Sequence, residues 1–97
     1  MSTAEREEVA ATIESFLDGS CRPYDWDDLI SIPRSDETFE MVCRYCASTS
    51  DLYPTRTKTE WCSNEGAVKL REFAALLRSP AGKEEIAAFI QKEYARV

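Results

Sequence analysis

The chemistry open to this chain rests on carboxylates and thiols, because its 97 residues include no histidine. Without imidazole the common general base near neutral pH is missing, and so are the serine and cysteine triads that depend on it. Carboxylates gather in Asp25, Asp27 and Asp28, within the run Tyr24-Asp25-Trp26-Asp27-Asp28-Leu29-Ile30. Such a set can hold a magnesium ion or divide acid and base roles, but on a helix the neighbours Asp27 and Asp28 point about 100° apart. The plainer reading is a solvated helix start, where negative charge meets the positive end of the backbone dipoles.

The thiols are Cys21, Cys43, Cys46 and Cys62. Cys43-Arg44-Tyr45-Cys46 has the spacing of a redox dithiol, which wants its first cysteine exposed at a helix N-terminus where the dipole lowers the thiol pKa. Here both fall mid-helix on an apolar stripe, the setting of a small buried hydrophobe. A structural zinc site would need Cys21 and Cys62 as its other ligands. Tight zinc sites usually present ligands in two close pairs, and only one pair exists. No metal or cofactor is assigned, and the chain is not read as an enzyme.

Aromatic residues make the case for binding. Tyr24, Trp26, Tyr53 and Trp61 fall in two long connections, off the helical stripes that would explain them as core. Indole and phenol groups are favoured at binding hot spots because they join a large apolar area to a polar tip. Tyr24, Trp26, Asp27, Asp28, Tyr53 and Trp61 therefore form the candidate binding surface. The competing reading has Trp26 and Trp61 covering the end of a helical bundle, each donating its N–H to a loop carbonyl.

The elements that must position these groups are helical. Ser2 with Glu5 three residues on is a capping box, predicting a first helix to about Asp18 with Val9, Ile13, Phe16 and Leu17 on its apolar face and Gly19 at its end. Residues 19–35, bracketed by Pro23 and Pro33, are too long for a bare loop. They are expected to hold one helical turn, capped by Asp25, with Leu29 and Ile30 in the core. Asp36 opens a helix over residues 37–47 whose stripe is Phe39, Val42, Cys43 and Cys46. A polar connection over 48–63 should lie beside the first one.

Ser63 caps a helix reaching Arg78, with Ala67, Leu70, Phe73, Ala74 and Leu77 inward, although Gly66 in its first turn costs propensity. After Ser79-Pro80-Ala81-Gly82 a last helix carries Ile86, Phe89, Ile90, Tyr94 and Val97 on one face. No segment alternates as a half-buried strand does. The expectation is a single all-α domain of four main helices, with a short helical turn in the first long loop and no repeat or linker.

Charge narrows the partners. Residues 1–50 hold eleven acidic and four basic residues, a net of −7, whereas residues 51–97 hold seven and eight, a net of +1. With a net charge of −6 and a pI near 4.6, nucleic acid and anionic membranes are disfavoured, since both need a basic field. A basic protein partner fits better. Arg56, Lys58, Lys69 and Arg71 are read as hydrated or locally paired. No apolar run approaches the roughly 18 residues of a membrane span and no export signal opens the chain, so a cytosolic location with reduced thiols is expected.

Phe16-Leu17-Asp18-Gly19, Tyr24 to Ser31, Tyr53-Pro54 and Cys62-Ser63-Asn64-Glu65-Gly66 together resemble a group of small bacterial proteins without an assigned role. That likeness covers about the central half of the chain and implies no activity or site. Asp51-Leu52-Tyr53-Pro54 is similar to the short toxin-contacting helix of small acidic immunity proteins that neutralise bacterial nucleases. It is two residues shorter here and followed by Thr55-Arg56-Thr57-Lys58 where those proteins are acidic. Three readings stand: an interaction module using the acidic and aromatic loops, an immunity or inhibitor-type protein for a basic partner, and a metal-binding or carboxylate-based enzyme. A homodimer through the apolar face of residues 86–97 is a further expectation.

Overall fold

The first helix begins where its cap residues require. Ser2 Oγ accepts from the Glu5 amide at 3.1 Å and Glu5 Oε1 accepts from the Ser2 amide at 2.7 Å, opening α1 over Thr3–Asp18. Gly19 closes it with a φ of 84°, a left-handed conformation that a side chain would strain, and its amide donates to Ser15 O. The computed structural model describes residues 1–22, 24–57 and 59–95. Pro23, Lys58 and Val97, each used in the sequence reading, lie outside them.

Helix α2 spans Asp25–Ser31, seven residues where one turn was expected. Asp25 is its first residue and not its cap; the cap position belongs to Tyr24, whose side chain makes no capping bond. Helix α3 spans Glu37–Leu52, with Asp36 Oδ1 accepting from the Phe39 amide at 2.8 Å. It continues five residues beyond the expected end at Ala47. Ser48 Oγ donates to Arg44 O and Thr49 Oγ1 to Cys46 O, both at 2.8 Å, so the hydroxyls read as loop-like fold back onto the helix they extend.

Helix α4 spans Asn64–Arg78, capped by Ser63 as expected, and α5 spans Lys83–Tyr94. Among the described residues there is no strand, and the all-helical expectation stands: four helices of 12 to 16 residues plus the short α2. No helix among them is long and apolar enough to cross a membrane. The accessible area of 6102 Å² matches the roughly 6,000 Å² that area scaling gives for a folded chain of this mass. The radius of gyration of 12.6 Å is likewise that of one compact unit, for which about 12.5 Å is expected.

One core joins the helices. Val9, Ala10 and Ile13 of α1, Val42, Cys43, Tyr45 and Cys46 of α3, Leu70, Phe73, Ala74 and Leu77 of α4 and Ile86 and Ile90 of α5 share one buried cluster, with α1 packed on α4 and α3 on α4 and α5. Of the α5 face expected to pair two copies, Ile86 and Ile90 are buried here, Phe89 is half-buried and Tyr94 exposed. Helix α2 packs only on α1 and α3 among the helices.

Two residues lock this arrangement in ways periodicity does not reveal. The Arg6 guanidinium donates to four carbonyls at the end of α4 and beyond it: Leu77 O at 2.9 Å, Leu76 O at 3.2 Å, Ser79 O at 3.0 Å and Ala81 O at 2.8 Å. A cation placed on the orphan carbonyls of a helix C-terminus satisfies them and opposes the dipole, here from a neighbouring helix. Gly66 is required by close approach, since a Cβ there would sit 2.7 Å from Tyr53 Cβ and 2.9 Å from Cys62 Sγ.

Candidate functional site

The inner and outer faces of α2 divide its residues by chemistry. Trp26 and Leu29 turn inward and are 4% and 6% exposed, whereas Asp25, Asp27 and Asp28 face water. The Trp26 ring stacks on Phe16 of α1 at 4.0 Å between centroids and 3° between planes. Trp61, from the connection before α4, meets both edge-on at 5.7 Å and 6.2 Å. The second long connection therefore does lie beside the first, and the three rings close that end of the helical assembly.

Several aromatics assigned to a surface are instead part of the fold. Trp26 is buried, with its Nε1 shielded from solvent and paired with no acceptor among the described residues. Trp61 is half-buried and donates its N–H to Thr49 Oγ1 at 2.8 Å, a hydroxyl and not the loop carbonyl expected. Tyr53 is 4% exposed, and its hydroxyl donates to Glu93 Oε1 and Oε2 at 3.0 Å and 3.1 Å. Packing accounts for the placement of Trp26, and packing with hydrogen bonding for that of Tyr53 and Trp61. Tyr24 differs: it is 74% exposed and is the most solvent-accessible large apolar residue of the described chain.

Glu93 is the charged residue that sequence reading missed. It is 5% exposed and also accepts from Tyr45 Oη at 2.7 Å, so one carboxylate joins α5, α3 and the Tyr53 connection. Burial, followed by the hydrogen bond to Glu93, pushes the Tyr45 phenol far above its ordinary value. The sequence clue was its spacing, seven residues after Ile86 and three after Ile90, which puts a Glu on the α5 apolar stripe itself.

The carboxylates of α2 border a cleft of about 510 Å³ between α1, α2 and the start of α3. Asp25 and Asp28, three residues apart on one helix face, line it with Glu8 and Thr12 of α1, Cys21 and Arg34. Asp27 lies off this wall. Asp25 pairs with Arg22 at 3.8 Å, but with Arg22 89% and Asp25 48% exposed the pair is weak. Asp27 and Asp28 have no ion-pair partner among the described residues.

The four cysteines do not assemble. All are free thiols; Cys43, Cys46 and Cys62 are buried and Cys21 is half-buried at the cleft. Burial raises the thiol of each above its ordinary value, the opposite of what a redox nucleophile needs. Among the described residues no three His, Cys, Asp or Glu side chains gather as a metal-ligand set, so the set Cys21, Cys43, Cys46 and Cys62 is not brought together. Comparison of the chain with protein-family models, with curated proteins and with solved structures finds no match.

Proposed function

We propose that the chain is a cytosolic protein-interaction module that docks through the exposed residues of α2 and its cap, Tyr24, Asp27 and the Asp28 at the wall of the cleft, recognising a partner that is basic where it meets Asp27 and Asp28. The observation that carries this reading is the division of α2: its anchors Trp26 and Leu29 are buried, while Tyr24, Asp27 and Asp28 face water without a partner that the fold would require. Tyr24 offers the large, amphipathic contact that hot spots favour, beside unpaired carboxylates. The net charge of −7 over residues 1–50 adds a field that speeds the approach of a basic surface and fixes its orientation. Of the six residues first assigned to the surface, Tyr24, Asp27 and Asp28 stay in this proposal, Trp26 and Trp61 pack behind it with Phe16, and Tyr53 is engaged with Glu93 of α5.

The reading is tested by joint neutralisation, Asp27→Asn with Asp28→Asn. Both side chains are exposed, so the variant should keep its helical circular dichroism and melt within about 1 kcal/mol of the parent. Partners recovered by the parent from its native lysate should be recovered at least about tenfold less well by the variant, in keeping with the loss of two interfacial charges. Equal recovery by the folded variant contradicts the docking surface.

A further inference from the structure

We infer that α2 is a strap that releases from α1 and α3 as a unit while the other four helices stay folded, and that release regulates the docking face. The regulatory half rests on the docking proposal; the release itself does not.

Length is the first ground. Seven residues fall well below the roughly 12 to 15 that an isolated helix needs to persist in water, so α2 exists only while its anchors hold it. Its ends are lightly tied. Tyr24 supplies no capping side chain and the last turn holds no basic residue; the outside ties among the described residues include the exposed Arg22 pair with Asp25 at 3.8 Å, the Asp25 amide to Arg22 O at 3.2 Å and Arg44 Nη2 to Ile30 O at 2.7 Å.

The other four helices have contacts of their own. Helix α1 packs along α4, and α3 packs on α4 and α5 as well as on α2, so each retains a helix neighbour when α2 leaves. The Arg6 clasp and the Arg78 pairs with Glu7 and Glu14 all lie on the α1–α4 side.

The third ground is the Trp26 indole. Its ring packs on Phe16 and Trp61, and its buried N–H has no acceptor among the described residues, whereas in water it would be hydrogen-bonded. The docked state thus carries an unmade hydrogen bond that release restores, which biases α2 toward opening. Release also bares Phe16, Trp26 and Trp61 beside three carboxylates, turning core rings into hot-spot chemistry. A partner that touches those rings draws the chain into the released state, because it binds that state better.

Hydrogen exchange on the free, full-length chain tests this without a partner. Amides Asp28 to Ile32 should exchange on the order of 100-fold faster than those of Ile13 and Phe73, with a shallower denaturant dependence than theirs, because release of α2 exposes less surface than global unfolding. Exchange of the α2 amides on the same denaturant-dependent curve as Ile13 and Phe73 overturns the strap. Trp26 replaced by its benzothiophene analogue, which puts sulfur in place of the N–H at nearly constant shape, should slow α2 exchange roughly tenfold by removing the unmade bond. An unchanged or faster rate overturns the role given to the indole. Both measurements read release alone, so failure of the docking proposal in the partner-recovery experiment is separable from failure here.

Discussion

The position of a single carboxylate organises one end of the core. Glu93 sits 5% exposed between the hydroxyls of Tyr45 and Tyr53, so its contribution is that of an acceptor more than of a charge. Glu93→Ala should cost about 3 kcal/mol, because the Tyr45 hydroxyl is left without its acceptor in a fully buried site, whereas Glu93→Gln keeps an acceptor and should stay within about 1 kcal/mol of the parent. Equal losses in chemical denaturation would contradict this assignment. The buried titrating groups set a second expectation, at high pH. Burial raises Tyr45 and all four thiols, so the folded chain holds protons that the unfolded chain has released. Where the folded state binds more protons, stability falls as pH rises; the decline should begin near pH ~8.5 and steepen above about 10, where unfolded cysteine and then tyrosine ionise. Denaturation midpoints that stay level from neutral pH through that window would count against these burials. At this scale the sequence was only partly legible. Tyr53 precedes a proline in a polar run, and nothing local announces that its hydroxyl reaches a carboxylate 40 residues away.

Helices with strong local signals were legible and those shaped by tertiary contacts were not. The capping box at Ser2 and Glu5, the Asp36 and Ser63 caps and the left-handed Gly19 fix their boundaries through groups within a few residues, which pattern reading can see. The last turns of α3 were read as loop because Ser48, Thr49, Ser50 and Asp51 are polar. They are helical because Thr49 is buried, bonded to Cys46 O and engaged by Trp61 from another segment. The inward turn of Trp26 was hidden for the same reason. Seven residues carry too little periodicity to choose a buried face, and its ring is placed by Phe16 and Trp61. Arg6 shows what an element-scale contact is worth: it ties α1 to the α4–α5 turn through four carbonyls. Arg6→Ala should destabilise the chain by about 2 kcal/mol and loosen amide protection at the start of α5, while Arg6→Lys recovers only part, since an ammonium cannot span the same fork. A loss below a few tenths of a kcal/mol would show the clasp to be incidental.

Across the whole molecule, one packed core carries an asymmetric charge. The acidic half contains α1, α2 and most of α3, and within it α2 turns Asp27 and Asp28 to solvent beside Tyr24. That combination was half legible. The cluster of an indole among carboxylates drew attention to this segment, where the indole belongs to the core and its neighbours form the surface proposed above. The most direct measurement places a photo-reactive residue in turn at positions Tyr24, Asp28, Glu72 and Glu85, all exposed, and irradiates the folded chain in its native lysate. The account predicts that Tyr24 and Asp28 give adducts with a basic protein that disappear at high salt, as screened charges require, and that Glu72 and Glu85 on α4 and α5 do not. Adducts formed equally from all four positions, or none from Tyr24 and Asp28, would contradict it.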